Sequence, residues 1–115
     1  MRLSELPDCP IETTWKLVGD KWKTMILRDL LSGAKRFVEL KKNLAIITPK
    51  SLTSSLRKLE QDGLVLRKVY SINPPKVEYS LTDVGYSLAP VLSAMASWGT
   101  DYKTFIALLE KQRSK

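Results

Sequence analysis

The stretch "TPKSLTSSLRKLEQDGLVLRKVYSINPPKVEYSLT", residues Thr48 to Thr82, decides the fold of this chain. Thr48 is a good N-cap, Pro49 suits the first position of a helix, and Gly63 is a natural stop just past its end. Two runs rich in Val, Leu and Tyr follow at once, separated by Asn73-Pro74-Pro75-Lys76. The stretch therefore predicts a helix that leads directly into a β-hairpin.

The tip of this hairpin has an unusual composition. A tight two-residue turn normally uses Asn-Gly or Asp-Gly, because the favoured turns need positive φ. Two prolines followed by Lys76 predict a stiff, charged tip instead. Such a tip suits contact with a polyanion, and the alternative is a merely rigid surface loop.

Upstream of this stretch, "KRFVELKKNL" (35–44) predicts a short third helix with Phe37 and Leu40 facing inward and Lys41 and Lys42 facing outward. Only about five residues join it to the helix that begins at Pro49, a spacing typical of a helix-turn-helix motif.

Two more helices are predicted in the N-terminal third of the chain. Pro10 suits the start of the first, and Asp20 is a plausible N-cap for the second, which ends at Ser32-Gly33. We expect Trp15 and Trp22 to serve the core; stacking on a ligand is the less favoured alternative.

The C-terminal third predicts a long helix capped by Thr82-Asp83. Pro90 is expected to bend this helix and Gly99 to weaken it, so that it could form two pieces. Its apolar residues recur at alternating spacings of three and four, a heptad-like seam. The seam comprises Leu81, Val84, Leu88, Val91, Met95, Trp98, Tyr102, Phe105 and Leu109.

Together these elements predict a single domain over residues 1–115 that is mostly α with a small β-hairpin. A helix-turn-helix followed directly by a hairpin is a winged helix-turn-helix, a DNA-binding fold. We place the helix-turn-helix at about 36–63, the wing at 64–81 and the long C-terminal helix at 82–112.

The net charge of +7 is concentrated in the middle of the chain. Residues 35–76 hold ten basic and three acidic side chains, whereas residues 1–34 and 77–115 are each neutral overall. Localised positive charge indicates a polyanionic partner, most often nucleic acid, although a solvated basic surface is the alternative. The middle segment shows no amphipathic helix with a large uncovered apolar face, so a membrane partner is not expected.

Composition also argues against several classes of function. The chain has no histidine and one cysteine, which removes the commonest general base and metal ligand and any internal disulfide. A catalytic pair of carboxylates is the alternative, but no Asp/Glu cluster with a suggestive spacing is present. We therefore expect no enzyme, no catalytic residue, no metal site and no cofactor. The N-terminus lacks the apolar core of a signal peptide, and no apolar run is long enough to span a bilayer. A cytoplasmic location is expected.

The helix that follows Thr48 has two distinct faces at 100° per residue. Leu52, Leu56 and Leu59 share one face. The opposite face is polar and cationic, formed by Lys50, Ser54, Arg57 and Gln61 and flanked by Ser51, Thr53 and Lys58. Arg and Lys can donate to guanine, and Ser and Thr can contact bases or phosphates.

DNA is favoured over RNA, because the basic region lacks exposed aromatic platforms for single-stranded bases. Docking of an acidic protein stays open as an alternative.

The chain closely resembles the HxlR-type family of bacterial transcriptional regulators over about residues 9–99. The markers are specific in combination: Cys9-Pro10, Gly19-Asp20-Lys21-Trp22, Arg36-Phe37 with Glu39-Leu40, Leu56-Arg57 with Leu59-Glu60, Asp62-Gly63-Leu64, Pro74-Pro75 with Val77-Glu78-Tyr79, and Trp98-Gly99.

The resemblance implies a homodimer that binds double-stranded operator DNA as repressor or activator. The recognition helix would enter the major groove, with Lys50, Ser51, Ser54 and Arg57 as expected groove contacts. Phosphate contacts are expected from Lys41, Lys42 and Lys58, and Lys76 is expected at the minor groove. Arg36 and Thr48 complete the expected DNA-binding set.

The resemblance also implies a dimer interface between the N-terminal helix and the long last helix. We expect the seam to pack on the domain in its first half and on the partner chain from Trp98 onward; an ordinary intramolecular core is the alternative. The expected interface residues are Ile11, Trp15, Trp98, Tyr102, Phe105 and Leu109. Any small-molecule effector is left unidentified by the sequence.

In some members of the family the cysteine at the position of Cys9 senses oxidants or electrophiles. A helix N-terminus can favour the thiolate that such chemistry needs. The favoured interpretation is nevertheless a small buried residue near the dimer interface. With one cysteine, a sensing reaction is limited to an intermolecular disulfide or a mixed adduct.

Overall fold

The computed structural model describes residues 2–114. A short 3₁₀ turn at Leu3–Glu5 comes first. The elements that follow are α1 (Pro10–Val18), α2 (Lys21–Leu30), β1 (Lys35–Arg36), α3 (Phe37–Leu44), α4 (Pro49–Gln61), β2 (Val65–Ile72), β3 (Pro75–Leu81), α5 (Asp83–Tyr86) and α6 (Ala89–Arg113). The predicted order of four helices, a hairpin and a C-terminal helical segment is confirmed, with one strand added.

The sheet has three strands rather than the two that the sequence predicts. All pairs are antiparallel and the order is β1-β3-β2. The added strand β1 is Lys35–Arg36, which pairs with Tyr79 and Glu78 of β3. Residues 35 and 36 were expected in the third helix, so that boundary was wrong. A two-residue strand has no measurable periodicity, and its partner lies far along the chain.

The hairpin tip is shorter than expected. Ile72 lies opposite Pro75, so only Asn73 and Pro74 turn the chain, across a cis peptide bond, and Lys76 belongs to β3. A β-bulge between Val69 and Ser71 leaves Tyr70 without a partner residue in β3. The bulge locally bends the edge strand and re-aims the side chain that it carries.

The core lies where α2, α3 and α4 meet the base of the sheet. The fully buried side chains are Ile26, Leu27, Leu30, Leu40, Ile47, Leu52, Leu56, Leu59 and Leu64. Trp22 packs against this cluster as expected. Trp15, in contrast, is exposed within the single chain, so its expected place in the core was wrong.

The C-terminal segment breaks into two helices as anticipated, but at a different place. The break lies at Ser87–Leu88, and Pro90 falls in the first turn of α6, where its missing N–H costs nothing. Val84, before the break, is exposed. After the break the helical phase differs from the predicted seam, so that Leu92 is the buried side chain of α6 and Met95 is exposed. The expectation that the first half of the seam packs on the domain holds for Leu81 and Leu88 and was wrong for Val84 and Met95.

The helix α6 makes the molecule elongated. The radius of gyration is 17.2 Å, whereas a compact chain of this length would have about 13 Å. The longest dimension is 64 Å. None of the helices described in residues 2–114 is long and apolar enough to cross a membrane.

Candidate nucleic-acid interface

The face of α4 that points away from the core is polar and cationic, as predicted. Thr48 caps the helix: its Oγ1 accepts a hydrogen bond from the Ser51 backbone N–H at 3.1 Å. Leu52, Leu56 and Leu59 are buried, which fixes the helix rotation. A shallow groove runs along the outward face, and it is lined by Pro49, Lys50, Thr53, Ser54, Arg57, Lys58 and Gln61. Lys50, Ser54, Arg57 and Lys58 are all exposed.

The hydroxyl groups at the start of α4 are already engaged. Thr48 Oγ1 also donates to Ser51 Oγ at 3.0 Å. Both side chains were expected to contact DNA, and in the unbound chain they stabilise the first helical turn instead. Thr48 is exposed, whereas Ser51 is half-buried.

The two lysines expected on α3 differ in their surroundings. Lys42 is exposed, whereas Lys41 is half-buried and its Nζ donates to the carbonyl of Ala45 at 3.2 Å. Ala45 has a positive φ of 50° and ends the helix. Lys41 therefore caps the turn of the helix-turn-helix motif in the unbound chain. Lys42 is the more exposed of the two cations.

Arg36 lies beside the wing rather than beside α4. Its backbone N–H donates to Glu39 Oε1 at 2.9 Å at the start of α3. Together with Phe37, Val38, Pro75 and Val77 it lines a cleft between α3 and the tip half of β3. The structure thus groups Arg36 with the hairpin, although the sequence placed it in the helix-turn-helix.

A second cleft, between α4 and the wing, contains residues that the sequence analysis missed. It is lined by Thr53, Leu56, Arg57, Glu60, Arg67 and Tyr79. Arg67 lies directly opposite Tyr79 in the sheet, on the face that also carries the buried Val65 and Leu81. The period-two alternation of β2 could have placed Arg67 on this inner face. Two guanidinium groups, those of Arg57 and Arg67, consequently border one cleft.

A second set of cationic side chains lies on the outer face of the wing, which is the face opposite to Arg67. Lys76, which was predicted as a DNA contact, has its Nζ 5.8 Å from the centroid of the Tyr70 ring. The Nζ of Lys68 lies 4.8 Å from the same centroid. Lys68 and Tyr70 were not predicted as site residues, because a bulge cannot be located from the sequence pattern.

Exposed apolar side chains lie outside this basic region, on α6 and on α1. Trp98 is 70% exposed and Ile11 80% exposed. Trp98 stacks on Tyr102 with ring centroids 5.3 Å apart, and Tyr102 contacts Phe105 edge-on at 6.1 Å. Trp15 is exposed as well, and Leu109 is half-buried. Side chains of this size seldom face water in such a group unless another surface covers them.

Cys9 is the N-cap residue of α1 and is exposed in the single chain. The favoured interpretation of Cys9 as a buried residue therefore does not hold within one copy.

Among the side chains of residues 2–114, no group of three or more His, Cys, Asp or Glu could hold a metal ion.

A helix-turn-helix whose second helix exposes a cationic face, followed at once by a small antiparallel sheet, defines the winged helix-turn-helix class of proteins. A family model described as "HxlR-like helix-turn-helix" matches residues 17–106, which is most of the chain. The chain belongs to this family. It is a transcriptional regulator of the helix-turn-helix type, and its relatives are regulators rather than enzymes.

Individual relatives agree with this assignment. The regulator YdeP of Bacillus subtilis, described as an uncharacterized HTH-type transcriptional regulator, is 50% identical over 105 residues, covering 91% of this chain and 82% of YdeP. The redox regulator HypR in its reduced form has a TM-score of 0.81 and 41% identity, covering 86% of this chain and 98% of HypR. The oxidized form of HypR has a TM-score of 0.76 and 45% identity, covering 81% and 96%.

Proposed function

We propose that this chain is a homodimeric repressor or activator that binds a pseudo-palindromic operator in double-stranded DNA. The observation that carries the proposal is the outward face of α4, where Lys50, Ser54 and Arg57 are exposed opposite a fully buried leucine face. In the proposed complex α4 enters the major groove and the wing lies at the adjacent minor groove. Arg57 is the main candidate for a base contact, since guanidinium groups donate in pairs to guanine O6 and N7.

The exposed aromatic group on α6 supports a second copy of the chain as partner. Trp98, Tyr102 and Phe105 form one contiguous apolar surface, and the elongated α6 holds it away from the domain core. A two-fold interface is self-complementary, so the same surface can serve both copies. Two α4 helices related in this way would contact half-sites about 34–36 Å apart, one helical turn of DNA.

Selection of DNA fragments by the purified protein tests the proposal directly. We expect enrichment of an inverted repeat with half-sites one helical turn apart, and binding that weakens with salt. Each phosphate neutralised should contribute about −0.9 to the slope of log K against log[salt]. Absence of enrichment, together with no retarded band in a gel-shift assay at low salt, would contradict DNA binding and favour an acidic protein as partner of the basic region.

For Cys9 we propose a thiol-sensing role that modulates DNA binding. The support is its exposure at the start of α1 and the likeness to HypR, which is described as a redox regulator. The expected products are an intermolecular disulfide or a mixed adduct, because the chain has one cysteine. Treatment with a disulfide-forming oxidant should change operator affinity in the wild type and leave Cys9→Ser unaffected. An equal response of both proteins would contradict the role.

A further inference from the structure

Two lysines meet one aromatic ring on the outer face of the wing. Lys68 Nζ lies 4.8 Å and Lys76 Nζ 5.8 Å from the centroid of Tyr70. Both distances fall within the roughly 6 Å over which an ammonium group is attracted to the face of an aromatic ring. The two cations come from different strands, so the ring joins β2 to β3 at the tip half of the hairpin.

The β-bulge explains how the ring reaches both lysines. Lys68 lies opposite Glu78 and Ser71 lies opposite Lys76, so these pairs share one face of the hairpin. Tyr70 is the extra residue between the two pairs. A bulge turns its extra side chain out of the regular alternation. The inserted residue therefore places its ring beside two cations that a regular ladder would leave apart.

The same face of the hairpin has one acidic residue near these cations. Glu78 lies directly opposite Lys68 in β2 and opposite Arg36 in β1, and it is half-buried. It can offset part of the charge on its neighbours in the row. Lys76 is paired with Ser71 instead, one step closer to the tip. The face is thus most strongly positive toward the tip, where the proposed complex meets DNA.

We propose that Tyr70 is a positioning residue that holds Lys68 and Lys76 ready to bind DNA phosphates. The inference rests on the proposed DNA-binding function and extends it to two residues not previously assigned. Immobilising a free lysine on binding costs conformational entropy. A ring that already restricts both side chains removes part of that cost. The ring face stays available to the ammonium groups while their remaining N–H donors contact phosphate oxygens.

Substitutions of Tyr70 test the proposal on a selected operator fragment. Tyr70→Ala should weaken binding by about three- to tenfold, since two cation–π contacts at an exposed site are lost. Tyr70→Phe keeps the ring face and should restore affinity to within about twofold of the wild type. Tyr86→Ala serves as the matched control, because Tyr86 is 44% exposed, similar to the 52% of Tyr70, but lies in α5. That control should bind as the wild type does.

The salt dependence of DNA binding distinguishes the positioning role of Tyr70 from the direct charge contribution of the two lysines. Tyr70→Ala removes no cation, so affinity should fall at every salt concentration with the slope unchanged. Lys68→Ala or Lys76→Ala should each reduce the slope by about 0.9. Wild-type affinity in Tyr70→Ala, tighter binding, or a Tyr70→Phe protein as weak as Tyr70→Ala would overturn the proposal.

A measurement without DNA keeps this test independent of the proposed function. After reductive ¹³C-methylation, the lysine methyl groups near the ring should show upfield NMR shifts. The signals of Lys68 and Lys76 should lose those shifts in Tyr70→Leu, and other lysines should not change. Unshifted signals in the wild type would overturn the cluster itself. A wild-type protein that shows these shifts but binds no DNA would instead refute the proposed function and the positioning role that rests on it.

Discussion

Arg57 borders two different surfaces, the groove along α4 and the cleft between α4 and the wing. From the groove along α4, Arg57 can contact the edge of a base in the major groove. From the cleft, it can bind a phosphate together with Arg67. We expect Arg57→Ala to weaken operator binding by about 1–3 kcal/mol and to relax the preference at one base-pair position. Fluorescence anisotropy with the operator and single-base variants measures both effects.

An exposed arginine outside the basic segment is the control for Arg57. Arg28 lies on α2 and is exposed, so Arg28→Ala removes the same charge elsewhere. It should leave the base preference intact. A uniform loss for Arg57→Ala across all operator variants would assign Arg57 to phosphate contact, whereas unchanged binding would remove it from the interface.

Gly85 lies where the start of α5 passes the base of the wing. A Cβ added there would collide with the backbone carbonyl of Leu64, which cannot rotate away as a side chain could. We expect Gly85→Ala to lower the free energy of unfolding by about 2–3 kcal/mol. Urea denaturation at a fixed protein concentration measures the change.

Gly63 provides the comparison for Gly85. It has a positive φ of 77°, and no atom lies within 4 Å of an added Cβ. Gly63→Ala should cost roughly 1–2 kcal/mol through backbone strain alone, and Gly63→Asn should cost less, because Asn tolerates this conformation. If Gly85→Ala were as stable as the wild type, the close approach to Leu64 would not exist in solution.

At the scale of elements, Thr82 joins the end of α4, the base of the wing and the start of α5. Its Oγ1 donates to the Gly63 carbonyl at 2.7 Å and accepts from the Gly85 N–H at 3.0 Å. Its backbone N–H donates to the Leu64 carbonyl at 3.1 Å. We expect Thr82→Val to destabilise the fold by about 1–2 kcal/mol, because the helix loses its cap.

Two further variants make the Thr82 test specific. Thr82→Ser keeps the hydroxyl and should stay within about 0.5 kcal/mol of the wild type. Thr104→Val is the control, since the Thr104 hydroxyl bonds only within the exposed helix α6, to the Thr100 carbonyl at 3.2 Å. Thermal unfolding followed by circular dichroism ranks the three. Equal stability of Thr82→Val and Thr82→Ser would contradict the bridging role.

The elements that the sequence could predict are those with strong local signals. Asp20 and Thr48 cap α2 and α4 as expected, and Gly63 ends α4 with positive φ. β1 could not be predicted, because it depends on pairing with β3, far along the chain. The break in the C-terminal segment was expected from Pro90 and Gly99, and its actual place at Ser87–Leu88 was not predicted. A continuous heptad-like spacing also crosses the break, so periodicity alone misassigned the phase of α6.

At the scale of the whole molecule, the aromatic surface on α6 is expected to hold two copies together. Phe105→Glu places a charge within that surface and should weaken dimerisation by about 2–4 kcal/mol, the range for a central interface residue. Thr104→Glu adds the same charge at the preceding residue, which is not part of the seam. Sedimentation equilibrium should show a shift toward monomer for Phe105→Glu and not for Thr104→Glu. Identical association of both variants would contradict the proposed interface.

The candidate site could be predicted from sequence only where one element carries it. The exposed face of α4 follows from helical periodicity, so Lys50, Ser54 and Arg57 lie on the surface as expected. The contributions of Arg67 and Tyr70 depend on how the sheet packs and where its ladder is interrupted. These residues carry no local signal of their own, because their surroundings come from other segments.

The two-residue strand β1 has a consequence for the choice of operator. It pairs with β3 of the wing and leads without a break into α3 of the helix-turn-helix. β1 therefore ties the wing to the helix-turn-helix on the β3 side of the sheet, while α4 contacts β2. In the proposed complex, DNA must match the distance from α4 in the major groove to the hairpin tip at the adjacent minor groove, and a sequence that must be deformed to do so binds more weakly. The protein would then discriminate among base pairs that no side chain contacts.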